Sequence, residues 1–169
     1  EDMWKFYEIV PGGFAEDAKA FVDRSHEWNG ATAEGLPDYL VGADYVKTFN
    51  HDKITPDLMI ELELASPAEV YVFLDKRLTP PPWLVEQFRE TGDIIGIDED
   101  RYDRSLATDV GPGVSIDQRL SVWRLVAEHG GVVKLGPNGE PADRESDDVY
   151  YVPSNMYGIA VVGLAGDVQ

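Results

Sequence analysis

The side chains that do most protein chemistry are sparse in this chain of 169 residues. It has no Cys, which removes a thiol nucleophile, a thiolate zinc site and a disulfide framework. Its three histidines, His26, His51 and His129, include no pair at helical ligand spacing, so a His-based zinc site is not indicated. Acids are plentiful. The runs Asp98-Glu99-Asp100-Arg101-Tyr102-Asp103 and Asp143-Arg144-Glu145-Ser146-Asp147-Asp148 each gather hard oxygen donors. Asp98, Asp100 and Asp103 are therefore candidate calcium ligands. Neither run has the central Gly and terminal Glu of an EF-hand loop, and the competing reading is a solvated acidic loop. With 32 acidic residues no single pair stands out for glycosidase chemistry. There is no Gly-x-Ser-x-Gly elbow. The glycine-rich stretches Pro11-Gly12-Gly13-Phe14 and Gly111-Pro112-Gly113 lack the Lys and the helix of a phosphate cradle.

Aromatic residues carry more information. An exposed ring offers a flat apolar face at low entropy cost, and polar neighbours can then bind hydroxyls. Trp83 follows Pro80-Pro81-Pro82 and comes after Lys76-Arg77, so rigid backbone holds a planar ring beside charged groups. It is either a ligand platform or a plug for the end of the fold. Trp28, in Glu27-Trp28-Asn29-Gly30, and Tyr102, in the acidic run, are similar loop aromatics. Trp123 lies mid-strand and is expected in the core. Among polar groups, Asp44, Asn50, His51, Asp52 and Lys53 flank one predicted strand, and Asp75, Lys76 and Arg77 end another. Asp75, Arg77 and Asn50 are candidate binders of hydroxyls or carboxylates. If Asp52 or Asp75 instead pairs with Lys53 or Arg77 under a loop, the pair is structural, because a buried charge needs a partner.

The elements that must position these groups read as strands. The length suits one domain, taken as residues 1–169. Hydrophobic residues at 43% and aromatics at 11% exclude a disordered chain. Sixteen Gly and eleven Pro punctuate short apolar runs, the pattern of an all-β antiparallel sandwich, jelly-roll-like, with two short helices. Leu58, Ile60, Leu62 and Leu64 alternate with Met59, Glu61 and Glu63, a period of two. The next strand, Glu69–Asp75, is apolar on both faces and should be central. Ser66-Pro67-Ala68 between them suggests a hairpin. Further strands are expected at Tyr45–Phe49, Leu120–Val126, Val132–Leu135, Val149–Val152 and Tyr157–Leu164, with Trp4–Val10 as a possible partner. Gly130-Gly131 reads as a hairpin turn. Ala15–Val22 and Pro82–Arg89 read as helices, the second entered through its prolines. Asp98–Gly113 and Pro137–Asp148 read as long loops, where binding sites usually sit.

Net charge is −18. A field of that sign repels nucleic acid and anionic lipid. No stretch is long and apolar enough for a membrane helix. The chain opens Glu1-Asp2-Met3-Trp4, without a signal peptide and without an initiator Met, and reads as a domain of a longer protein or a processed form.

One stretch has a familiar pattern. Gly42-Ala43-Asp44-Tyr45-Val46-Lys47-Thr48-Phe49-Asn50-His51-Asp52-Lys53 resembles the "ADYxxTFNDDK" opening of a β-sandwich accessory module. Such modules occur in large exported bacterial proteins beside FecR-type regulatory, laminin-G-like or polysaccharide-degrading domains. Val70–Arg77, Pro82-Trp83-Leu84, Thr91-Gly92, Ser121-Val122-Trp123-Arg124, Gly131–Gly136 and Met156-Tyr157-Gly158-Ile159 fit the same pattern, so the resemblance covers residues 36–163. His51 stands where the pattern has Asp, which weakens an acidic metal cage there. The resemblance implies a fold like that of carbohydrate-binding modules and an extracellular or cell-envelope setting within a multidomain chain. It carries no catalytic residues.

These readings lead to an expectation. The chain is a non-enzymatic module that binds a polysaccharide or glycan, with Trp83, Trp28 and Tyr102 stacking on sugar rings and Asp75, Arg77 and Asn50 on hydroxyls. Its acidity suits neutral or cationic glycans better than sulfated ones. The other reading is a structural or protein-interaction spacer with no glycan site. A binder should show Trp83 or its loop partners in a groove, and a spacer should bury every tryptophan.

Overall fold

The computed structural model describes residues 7–99, 111–142 and 153–164. Among them the elements run β1 (Glu8–Val10), β2 (Ala18–Lys19), β3 (Glu27–Gly30), β4 (Asp44–Lys47), a 3₁₀ turn (Asn50–Ile54), β5 (Ile60–Leu64), β6 (Ala68–Asp75), β7 (Leu78–Thr79), α1 (Pro82–Gln87), β8 (Arg89–Asp98), β9 (Gln118–Ala127), β10 (Gly131–Leu135), β11 (Glu140–Pro141) and β12 (Gly158–Gly163). The fold is an all-β antiparallel sandwich. One eight-stranded sheet has the order β1-β4-β12-β6-β9-β8-β3-β2, and the pairs β10-β5 and β11-β7 stand apart from it.

The large sheet curls on itself. Phe21, just past β2, forms a parallel bridge with Thr48, just past β4. The Val22 N–H also donates to the Thr48 carbonyl at 2.9 Å. The far end of the sheet is thus brought back to β4. Register then defines what lies inside the curl. Tyr45 pairs with Ala160, Ala160 with Tyr71, Gly158 with Phe73, and Trp28 with Ile97. Side chains opposite each other in an antiparallel pair share a face. Inside, Phe73 stacks on Phe14 with centroids 5.3 Å apart and meets Trp28 edge-on at 5.5 Å. Phe21 leans on Trp28 at 5.9 Å. Gly158 is needed here: a Cβ at that position would lie 2.6 Å from the Trp28 ring and 2.7 Å from the Phe73 ring.

The other face of β6 carries Val70, Val72 and Leu74, all buried. β5 and β10 form the layer that covers this side. Ile60 pairs with Leu135 and Leu62 with Val133, so these apolar residues share one face. Leu62 and Leu64 meet Val46 and Val161 across a groove. The central position expected for β6 follows from its two apolar faces.

The sequence reading departs from the structure in four places. The β5–β6 hairpin does not form: β5 pairs with β10, while β6 pairs with β12 and β9. Ser66-Pro67 carries the chain from one layer to the other. Gly130 and Gly131, at φ 69° and 89°, likewise lead into the second layer and not into a β9–β10 hairpin. Ala15–Val22 is turn and strand, not helix. Asp17 there has φ 65°, which an α-helix cannot accept, and its N–H donates to the Asn29 side chain at 2.8 Å. β3 forms where a loop was expected, and β8 where no element was assigned. The expected strand Val149–Val152, and Trp4 with its immediate neighbours, lie outside the described residues. Among the described residues no helix is long and apolar enough to cross a membrane.

The curl rests on Trp28, which has no exposed surface. Trp28→Ala should lower the unfolding free energy by about 3–5 kcal/mol, read from urea denaturation followed by far-ultraviolet dichroism. Gly158→Ala should destabilise as well, although it adds only one methyl group.

Candidate functional site

α1 begins directly after its prolines, with Pro82 at its first position, where a missing N–H costs nothing. This entry places Trp83 at one end of the sandwich. The indole is half-buried, and its N–H donates to the Pro137 carbonyl at 2.7 Å. Its ring lies 5.3 Å from Tyr157 and 6.2 Å from Phe88, centre to centre. The Tyr157 hydroxyl in turn donates to the Gly136 carbonyl at 2.8 Å. A Cβ on Gly136 would come within 2.6 Å of the indole, so that glycine lets the ring seat. The remaining surface of Trp83 forms a wall of a cleft of about 350 Å³, framed by Pro80–Pro82 and Pro137 and reached by Lys53 and Glu140. Few of these groups have freedom to lose on binding. Lys53 donates to the Ser154 carbonyl at 2.8 Å, and burial, followed by the charges of Arg24 and Arg77, pulls its ammonium below the usual lysine range.

The polar candidates near this end are structural. Asp75 is fully buried. Its Oδ1 accepts from the Arg77 backbone N–H and Nε, both at 3.0 Å, and its Oδ2 accepts from Arg77 Nη2 at 2.7 Å and from the Asn155 N–H at 2.9 Å. A carboxylate held by four donors is not available to a hydroxyl. Asn50 is buried too, and its Oδ1 accepts from the Met156 N–H at 2.9 Å. Asp52 accepts from the hydroxyls of Tyr7 and Thr55. The sequence pairing Asp75–Arg77 is therefore correct as a structural pair, and the assignment of Asp75 and Asn50 to ligand hydroxyls is not. Trp28 is corrected in the same way: it is sealed in the core beside Phe73 and cannot stack on a ligand. Trp123 is buried, as expected, with its indole N–H on Ser121 Oγ at 2.9 Å. Tyr102, Asp100 and Asp103 lie outside the described residues. Asp98 is buried at the end of β8, opposite Glu27. Among the described residues no three acids or histidines gather in a way that could hold a metal ion.

Sequence reasoning missed a second cleft, of about 660 Å³, where the interior face of the curled sheet runs out beyond its aromatic core. Tyr39 stacks on Tyr71 there, with centroids 5.2 Å apart and planes 29° from parallel. Both hydroxyls are fixed. Tyr39 donates to Asp93 at 2.5 Å and Tyr71 to Glu69 at 2.5 Å. Arg124 Nη2 donates to the other Glu69 oxygen at 2.6 Å. Asp93 reaches Tyr39 because the β8–β9 register shifts between Glu90 and Ile94, with Gly92 at φ 89° inside the irregularity. Thr91 pins this detour by donating to the Val122 carbonyl at 2.9 Å and accepting from the Asp93 N–H at 3.1 Å. Burial, then the bond to Asp93, pushes the Tyr39 phenol up to about 12. Burial and the bond to Glu69 raise Tyr71 likewise.

The architecture places the chain among β-sandwich domains. No family model matches it, and no curated protein does. Among solved structures it is similar to a chain described as a beta-glucuronidase from glycoside hydrolase family 2, with a TM-score of 0.67 and 20% sequence identity. The likeness covers 94% of this chain and 14% of that one, so this chain corresponds in fold to one segment of a much larger enzyme.

Asp75→Ala should cost about 1–3 kcal/mol, because it removes the acceptor of the buried Asn155 N–H and of the Arg77 N–H; thermal denaturation reads this. Tyr39 gives a pH signature. Its neutral phenol is favoured in the folded state, so its stabilisation is complete below the ordinary value of 10.0 and is lost as pH climbs toward 12. Phenolate absorbance of the protein minus that of Tyr39→Phe should therefore show this residue ionising well above pH 10.

Proposed function

We propose that this chain is a non-catalytic carbohydrate-binding domain that attaches a larger secreted or envelope protein to a polysaccharide or glycan. The observation that carries the reading is Trp83. Of the tryptophans among the described residues, Trp28 and Trp123 are buried, and Trp83 alone presents part of its ring to a cleft. The ring is oriented by its own N–H bond and framed by prolines, so little order is lost when a sugar's C–H face settles on it. The shared fold with a segment of a glycoside hydrolase supports the same reading by analogy. Of Asp75, Arg77 and Asn50, solvent reaches Arg77, whose side chain is 36% exposed beside the buried Asp75. Affinity at a single cleft should be modest, because sugar hydroxyls exchange water bonds for protein bonds at small net gain.

A spacer role is favoured by the burial of Trp28 and Trp123, which serve packing alone. Affinity electrophoresis against a panel of plant and algal polysaccharides, with and without calcium, separates the two. The chain should be retarded by at least one polymer. Trp83→Ala, run below its own melting temperature, should weaken that retardation about tenfold, while Trp123→Phe leaves it intact. Retardation by no polymer in the panel, or equal retardation of Trp83→Ala, would assign the domain to the spacer class.

A further inference from the structure

A second surface carries an argument independent of Trp83. In the cleft over Tyr39 and Tyr71, Arg89 on β8 stands directly opposite Arg124 on β9. Like charges facing each other across a strand pair are unfavourable. Glu69 neutralises Arg124, whereas the Arg89 side chain has no hydrogen-bond or ion-pair partner among the described residues. A chain with 14 basic residues against 32 acidic ones has nonetheless placed two guanidiniums side by side in one cleft.

The cleft is built, and not merely open. The β8 irregularity breaks regular pairing to bring Asp93 onto Tyr39, and such departures are common beside binding sites. Tyr39 keeps 38% of its surface exposed while its hydroxyl and one ring face are held by Asp93 and Tyr71. The rest of the ring is a rigid platform that costs no ordering on binding. The volume lies within the range of about 300–1,000 Å³ common for small-ligand sites.

The groups around the platform select the ligand. Glu69 and Asp93 bring two negative charges, and Arg89 and Arg124 bring two positive ones, a sum of zero; Glu90, opposite Trp123, sends its side chain to the other face of the sheet. A phosphate or sulfate would meet two carboxylates, and a cation would meet two guanidiniums. An aliphatic chain would bury charged groups without replacing their water. A neutral saccharide fits each constraint. Its axial C–H face can lie on the Tyr39 ring, and its edge hydroxyls both donate to carboxylates and accept from guanidiniums. We propose that the Tyr39–Tyr71 cleft is a binding subsite for neutral saccharides, with Tyr39 as the stacking platform and Arg89 and Asp93 as its hydroxyl partners. The ligand class follows from this cleft's own groups, so the proposal stands apart from the one made for Trp83.

Amide chemical-shift titration of the whole chain with cellohexaose, xylohexaose, mannohexaose and laminarihexaose tests it. At least one should shift the amides of residues 39, 71, 91–93 and 124. Tyr39→Ala should weaken that ligand about tenfold, and Arg89→Ala, which removes a side chain with no described internal partner, about threefold. Arg89→Ala keeps the test decisive should Tyr39→Ala lose its fold. Shifts confined to residues 80–83 and 137–140 would overturn this proposal and leave the Trp83 reading standing. Shifts here with the Trp83 cleft silent would do the reverse. No shift with any of the four would overturn this proposal, and the Trp83 reading would then rest on the polysaccharide panel. Tighter binding of oligogalacturonate than of the neutral hexamers would overturn the ligand class.

Discussion

The meeting of Phe14, Trp28 and Phe73 inside the curled sheet is the constraint from which the rest follows. Trp28 comes from β3, near one end of the eight-stranded order, and Phe73 from β6, near its middle. They can touch only if the sheet bends until its interior face closes on itself. Gly158 makes room for the contact, and the Phe21–Thr48 bridge seals the bend. A sheet rolled this tightly has two rims where the aromatic filling stops. One is closed by α1 and the buried polar groups around Asp75. The other ends at Tyr71, and its walls turn polar. Both clefts are consequences of where the core runs out.

The two rims solve the same problem differently. At the Asp75 rim, most polar atoms are tied to one another: a carboxylate with four donors, the Asn155 amide on Glu99, Asn50 on the Met156 N–H, and Lys53 on a carbonyl. Such a network specifies one arrangement of loops and leaves little for a ligand. Trp83 escapes it because the prolines and Gly136 hold its ring at the outer margin. At the Tyr71 rim the internal bonds go to the phenols and to Arg124, and the ring of Tyr39 and the head of Arg89 remain toward solvent.

The legible parts of the sequence are those where a residue's immediate neighbours reveal its setting. β6 shows both faces apolar, which only the middle of a covered sheet allows. β5 alternates Ile60, Leu62 and Leu64 with Glu61 and Glu63, which only an outer layer allows. That contrast already separates the two strands into different layers, although the Ser-Pro turn between them points to a hairpin. The Trp83 turn is legible from its prolines. β8 is not, because the detour that makes it useful fills Arg89–Asp93 with charge and a glycine, and its apolar half is short. Trp28 is misleading for a related reason. Glu27, Asn29 and Gly30 look like a loop, yet they are the narrow strand that slots the indole into the core. Tyr39 has no pattern around it at all. Its partner Asp93 lies 54 positions away, and only the folded chain brings them together.

The ends of the large sheet bear on how many copies could live side by side. β1 has three residues and β2 two, and the chain beyond β2 is engaged with Thr48. Among the described residues each offers a neighbour only a stub of free main-chain donors and acceptors, too little to template an intermolecular ladder. Together with the mutual repulsion of strongly acidic bodies, this disfavours edge-to-edge pairing of two copies through the large sheet.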